Sequence, residues 1–259
     1  MVPGTMRAAV LSGGYDPVVS AWIAAGGSAS AATLAATDAM VKTWRRDGYF
    51  GKITTFVGMF GADLNSALLP LIGTAPTPVN FVSGDYSEGA GLTGNGTSKY
   101  LDSGQQAPGP ATGGMGVYMR TLMSTAAFRT PIGSSGATDL YQIIQNSTPS
   151  YQATYGLTGL TTAVNAQMPV GAWHADRSSS TRLDLYFNGS SVSNRTTSTT
   201  PAANGLNVYV FGRNQSGSAG GLAAVSLAGY WMTSSLTAAE ALAMYTSIQT
   251  WQTALGRNV

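Results

Sequence analysis

The sequence predicts a mainly β protein: a two-sheet sandwich of jelly-roll type, preceded by a helical layer and closed by one helix. Three observations carry this reading. Short segments of alternating polarity separated by turn residues fill the chain from Val79 to Met232, helical periodicity dominates before residue 76, and helical periodicity returns after Thr233.

Asp16-Pro17 starts a first short helix through "VVSAWIAAG", since proline is tolerated in the first turn. A second helix follows in "SASAATLAATDAMVKTWRRDG", where Leu34, Met40, Val41 and Trp44 fall near one face, Ser28 or Ser30 caps and Gly48 stops. "LNSALLPLIGTAPTP" is a buried apolar segment running into a proline-marked link. Nine strands are then expected, at 79–83, 98–103, 114–122, 139–145, 151–156, 170–176, 182–188, 207–213 and 223–232. The run "WHADRSSSTRLDLYFNGSSV" (173–192) reads as a meander. Leu183, Leu185 and Phe187 share its inward face, and Asn188-Gly189 supplies the positive φ values of a type I′ turn onto the segment around Val192. Residues 193–205 form a polar loop. Thr237 and Glu240 make a capping box, after which Ala241, Met244, Ile248, Trp251 and Leu255 line one helical face. The expected organisation is a segment 1–75 that packs or docks, and a sandwich 76–259 with its sealing helix.

Composition excludes several classes. Among 259 residues only 9% are charged, so the surface is built from hydroxyls and small residues. Thirteen Lys and Arg against eleven Asp and Glu are scattered singly except for Arg45-Arg46, and a nucleic-acid footprint needs clustered positive charge. There is no cysteine, hence neither disulfides nor thiolate metal sites. The start "MVPGTMRAAVLSGG" lacks the apolar core of a signal peptide and no 18-residue apolar run occurs, so a cytoplasmically made protein without membrane insertion is expected.

The 173–192 run resembles the central meander of laminin-G and concanavalin A-like sandwiches. Over more of the chain, "LLPLIGTAPTPVNFVSGDYSEGAGLTGNGTSKYLDSG", "VYVFGRNQ" and "SLTAAEALAMYTSIQTWQTALG" resemble lectin-like structural proteins of tailed bacteriophages. The resemblance implies a concanavalin A-like sandwich in a non-enzymatic virion protein. It would serve capsid decoration, a fibre or the tail, in several copies or as a homo-oligomer, touching other virion proteins and host surface glycan. A carbohydrate-binding host-receptor module is the first alternative and a cell-surface polysaccharide hydrolase the second.

The residues favour binding over catalysis. A glycosidase of this fold needs two carboxylates flanking the bond, and the only glutamates, Glu88 and Glu240, fall in a loop and a helix cap. Asp176 and Asp184 lie on successive strands; an exposed hairpin pair or an isolated surface charge is the expectation for them. His174 is the only histidine, which rules out a histidine metal cluster and leaves it as the one candidate for a triad, with a packed imidazole the plainer reading. No G-x-S-x-G elbow accompanies it. "GLTGNGTSKY" lacks the G-K-[ST] of a phosphate loop and reads as a turn. Arg45-Arg46 suit a helix C-terminus. A lectin-type Ca²⁺ site would draw on Asp85, Asp102, Asp139 and Asp176 beside Tyr86, Tyr100 and Tyr141. No catalytic residue, metal ligand or cofactor is assigned.

Overall fold

In the computed structural model, which describes residues 14–109, 112–137, 139–147, 150–156, 159–162, 166–196 and 202–259, two sheets, antiparallel except where Arg213–Gln215 pairs with Arg129–Ser135, stack face to face. The first thirteen residues, and residues 197–201 of the expected polar loop, lie outside these ranges.

The eight-stranded sheet is centred on Gly113–Met119, flanked by Ser226–Thr233 on one side and Gly171–Ser179 on the other. Arg182–Phe187 and Ser190–Arg195 extend it beyond Gly171–Ser179. The meander forms as expected: Trp173 pairs with Phe187 and Ala175 with Leu185 in an antiparallel ladder. Asn188 (φ 49°) and Gly189 (φ 74°) make the turn. Glycine is needed there, because a Cβ on Gly189 would lie 2.9 Å from Leu242 Cδ1 of the last helix.

The nine-stranded sheet runs from Gly159–Thr162 through Tyr151–Gly156, Leu140–Gln145, Arg129–Ser135, Asn207–Val210 and Tyr100–Gln106 to Thr77–Val79. Leu101, Val210, Ile132, Ile143 and Ala153 are fully buried and meet Val117, Trp173, Ala175, Leu185 and Leu227 of the other sheet in one core.

A second core lies on the outer face of the eight-stranded sheet. Helices α1 (Pro17–Ala24), α2 (Ala31–Arg46) and α4 (Ala238–Ala254) cover it, whereas α3 (Leu64–Leu68) packs Leu64 and Leu68 into the first core. The caps are those expected: Asp16 Oδ1 accepts from Val18 N at 3.0 Å, Ser30 Oγ accepts from Thr33 N at 3.0 Å, and Thr237 and Glu240 cap each other. Phe56 is the hub, with ring centroids 4.8 Å from Trp44, 6.0 Å from Trp251 and 6.4 Å from Trp231. Each of the five tryptophan N–H groups has an acceptor: Leu69 O for Trp22, Ser247 Oγ for Trp44, Pro169 O for Trp173, His174 Nδ1 for Trp231 and Thr37 Oγ1 for Trp251.

The described residues before 76 pack on the eight-stranded sheet, sharing the second core with Tyr118, Trp231 and α4. They also supply a strand, since Ile53–Val57 pairs with Ser226–Thr233. Two strand expectations are corrected. Of 79–83 only Val79 pairs, as the end of Thr77–Val79, and Asn80 has a φ of 59°. Phe211 (φ 66°) breaks 207–213 after Val210. Arg129–Ser135 was not expected because Pro131 cannot donate to a ladder; it sits at a register shift, where its carbonyl accepts from Phe211 N at 2.8 Å.

Candidate functional site

Strand register decides which side chains can meet a ligand. On the helix-covered sheet, Phe56, Trp231, Gly116, His174, Tyr186 and Ser191 oppose one another in one outward row. Gly116 admits the Trp231 ring, whose Nε1 would lie 2.5 Å from a Cβ there. In the neighbouring row Asp176 directly opposes Asp184. The expectation of an exposed pair or an isolated surface charge is thus corrected: both are buried, at 1% and 5% exposure, Asp176 against Ser235 and Leu236 and Asp184 against Arg182.

The cluster around His174 is closed and saturated. The Trp231 indole can only donate, so its 3.1 Å bond makes His174 Nδ1 an acceptor and places the ring proton on Nε2, 3.4 Å from Asp176 Oδ2. Asp176 also accepts from Ser235 Oγ and Leu236 N, each at 2.8 Å. Asp184 takes a two-pronged bond from Arg182 at 2.6 and 2.5 Å. Burial pushes the Tyr186 hydroxyl up to about 12. This arrangement ties the sheet to the loop before α4.

The other carboxylates are dispersed. Glu88 Oε1 accepts from Thr33 Oγ1 at 3.0 Å and Gly61 N at 3.3 Å, and Glu240 caps α4 and pairs with Lys52 at 2.6 Å. Asp85 is paired with Lys99, and Asp139 accepts from Ala202 N at 3.3 Å. The structure does not bring Asp85, Asp102, Asp139 and Asp176 together, and among the described residues no three His, Cys, Asp or Glu side chains gather as a metal site would require. Tyr86 and Tyr141 each donate to a backbone carbonyl, Gly61 O at 2.7 Å and Ala202 O at 2.6 Å. In the "GLTGNGTSKY" turn, Asn95 Oδ1 organises the loop by accepting from Thr97, Ser98 and Lys99 N. Arg45 lies across Phe50 and binds Asp16 in a fork rather than standing free at the end of α2.

The outer face of the nine-stranded sheet differs. Thr77, Asp102, Tyr209, Gly133, Gln142, Thr154 and Gly159 oppose one another across seven strands, a row of about 29 Å at an interstrand spacing of about 4.8 Å. Its neighbours Leu101, Val210, Ile132 and Ile143 fill the core, so this row points away from the other sheet. Among the described residues no helix packs on it. Tyr100 stacks on Tyr209 at 4.7 Å and remains half-buried, whereas Tyr209, Gln142 and Thr154 in the middle of the row are buried. Asp102 Oδ1 accepts from Asn207 Nδ2 at 3.0 Å and Gly104 N at 2.9 Å, leaving Oδ2 without a donor among the described residues. Gln142 is covered by Arg213, whose Nη1 donates to its Oε1 at 3.1 Å. Of the residues singled out in the sequence, Asp102 and Tyr100 stand on this face. Asn207, Tyr209, Gln142 and Arg213 were missed as site residues; the one signal for them was the alternation around Tyr209 and Gln142, which marks a face but not its use.

Among the described residues no helix is long and apolar enough to cross a membrane. No protein-family model matches the chain, and no curated protein does. Solved structures give distant likenesses. A mutant Trypanosoma rangeli sialidase displaying trans-sialidase activity is 12% identical with a TM-score of 0.49, over 84% of this chain and 39% of that one. The Ruminococcus gnavus IT-sialidase CBM40, bound to α2,3 sialyllactose, is 12% identical with a TM-score of 0.38, over 51% and 82%. The leech intramolecular trans-sialidase is 10% identical with a TM-score of 0.39, over 51% of this chain and only 23% of the enzyme. Likeness this distant carries no argument about activity or ligand, and the mainly β, two-sheet sandwich rests on the strand pairing itself.

Proposed function

We propose that this chain is a non-catalytic, glycan-contacting sandwich carried on a tailed-phage particle, and that it meets its ligand with the outer face of the nine-stranded sheet. One observation carries the binding reading. One outer face of the sandwich is sealed beneath three helices, whereas the other keeps Tyr100, Asp102 and Arg213 half-buried, with an aromatic ring, a carboxylate oxygen and guanidinium N–H groups that still have capacity for a ligand. Apolar ring with converging polar groups is the composition that orients a sugar. The particle setting rests on the sequence resemblance alone. The non-catalytic reading is supported by the saturation of Asp176, Asp184, Glu88 and Glu240, each held in a structural role.

The test is binding of the purified protein to an array of bacterial surface polysaccharides, repeated with Tyr100→Ala and Asp102→Ala. Binding should fall about tenfold or more in each variant while thermal stability stays within about 1 kcal/mol of the parent. Binding that survives both substitutions would move the site elsewhere. Sugar release lost in Asp184→Asn would replace the reading with a hydrolase.

A further inference from the structure

The segment Phe211-Gly212-Arg213-Asn214 lies in the "VYVFGRNQ" run of the phage resemblance, yet it does more than finish a strand. After the kink at Phe211, Arg213–Gln215 pairs in parallel with the far end of Arg129–Ser135 and turns back through Ser218–Gly220. This lays the Arg213 side chain on the outer face of the sheet, over Gln142. Its guanidinium carbon sits 4.4 Å from the Phe128 ring centroid and Nη1 donates to Gln142 Oε1 at 3.1 Å. With the Gln215 carboxamide oxygen turned towards it, that oxygen accepts from Nε at 3.2 Å and from Nη2 at 2.6 Å. Gly220 leaves the room, since a Cβ there would run into the Gln215 carboxamide. Ring and amides hold the guanidinium in one orientation.

None of these partners is charged. Among the described residues no carboxylate lies within ion-pair distance of Arg213, although burial has partly stripped it of water and pushes its pKa down. Arg257 shows what a purely structural buried arginine looks like here. All five of its N–H donors are taken, by Gln252 Oε1 and the carbonyls of Met59, Glu88, Gly58 and Ala228, and it is fully enclosed. Arg213 uses three of its five donors and remains half-buried, so two N–H groups of an oriented cation have no acceptor among the described residues.

We propose that Arg213 is the anion-recognising end of the glycan site, and that the ligand is an oligosaccharide carrying a carboxylate, as a hexuronate does. This rests on the glycan reading above and adds the substrate class. A planar, pre-oriented guanidinium suits a carboxylate better than a dispersed charge. Three interstrand steps away, about 14 Å, Asp102 offers a free carboxylate oxygen that accepts from sugar hydroxyls and repels a second anion. The face is therefore polar in sense: an acidic sugar over Arg213, a neutral one near Asp102 and the tyrosine pair.

The probes are a trisaccharide ending in one uronate, its carboxyl-reduced counterpart, and a neutral trisaccharide bearing a single sulfate, titrated calorimetrically into the unaltered protein at two salt concentrations. The uronate compound should bind at least about tenfold tighter than the reduced one and weaken as salt rises. Arg213→Lys and Arg213→Gln should remove that discrimination, bringing the uronate compound to the affinity of the reduced one. Equal binding of acid and reduced forms would sink the anion assignment while leaving the glycan site standing. Preference for the sulfate would sink the carboxylate assignment. Binding of none of the three, together with a blank polysaccharide array, would remove the glycan reading itself. The first comparison needs no variant, so it decides the matter even if a substitution disturbs the hairpin.

Discussion

The two outer faces of the sandwich are built on one plan and end differently. Each has a cross-sheet row with a glycine between an aromatic residue and a polar one: Trp231, Gly116 and His174 on one sheet, Tyr209, Gly133 and Gln142 on the other. In both rows the missing Cβ lets a neighbouring side chain lean across, the Trp231 ring over Gly116 and Gln142 over Gly133. The first row is flanked by Phe56 and Tyr186 and packs beneath the helices, where the Trp231 indole and both His174 ring nitrogens find partners inside the protein. The second is flanked by Asp102 and Thr77, and among the described residues no helix follows to cover it. A covered face spends its hydrogen-bonding groups on its own fold. The helix-free face also buries Tyr209, Gln142 and Thr154, but keeps Tyr100, Asp102 and Arg213 half-buried, which is what recognition needs.

The strongest way to break this comparison is to uncover the first face. A fragment 76–259 keeps most of the core between the sheets but loses the Ile53–Val57 strand and much of the second core, including Trp22, Trp44, Phe56 and Phe60. It should show no cooperative thermal transition and should aggregate, because Tyr118, Trp231 and Trp251 would be left as a wide apolar surface. A soluble fragment melting cooperatively would mean that the helix layer is an accessory and that the two faces are alike.

A smaller effect is expected at Arg257, which stitches the C-terminal segment to the 58–59 backbone, Glu88 and Ala228 beneath the layer. Burial pushes its pKa down to about 10, and it stays charged at neutral pH. Arg257→Met fills similar volume but strands four carbonyls and Gln252, so denaturant unfolding should show a loss of about 3 kcal/mol or more. The matching change on the bare face, Arg213→Gln, should cost well under half of that.

Most of the fold was legible in the sequence and little of the site was. Caps, helix faces and the Asn188-Gly189 hairpin are local signals, and Thr237 with Glu240 marked the last helix to the residue. Arg129–Ser135 was hidden because Pro131 and Gly133 read as turn chemistry, although a bulge accommodates the one and Gln142 requires the other. Alternation placed Asp184 and Tyr186 opposite Leu185, but only the later arrival of α1, α2 and α4 made that side a second interior. Likewise nothing local distinguishes Asp102, on the bare face, from Asp176, on the covered one. Which face stays open depends on contacts between residues some two hundred positions apart, such as Trp44 with Ser247, and no window of sequence contains those.

The smallest effect separates the rim of the covered face from its interior. Asp16 caps α1 and receives Arg45 Nε at 2.6 Å and Nη2 at 3.0 Å, tying α1 to α2 where Arg45 is half-exposed. The hydrogen bond from Arg45 is the chief reason that the Asp16 carboxyl is held below the ordinary carboxylate range. A depressed folded-state pKa adds stability that is fully present above the unfolded value of about 3.9 and is lost as pH falls through the folded one. Water screening at this rim keeps the contribution to about 1 kcal/mol or less. Asparagine caps a helix as well as aspartate does, so Asp16→Asn isolates the charge. Above pH 5 the variant should be less stable by that amount, and the gap should close as the solution is acidified below about pH 4. A gap that persists unchanged into acid would mean that Asp16 acts by shape and capping alone. A gap as large as that of Arg257→Met would mean that the rim holds the layer as firmly as the interior does, contrary to the burial of the aromatic residues around Phe56.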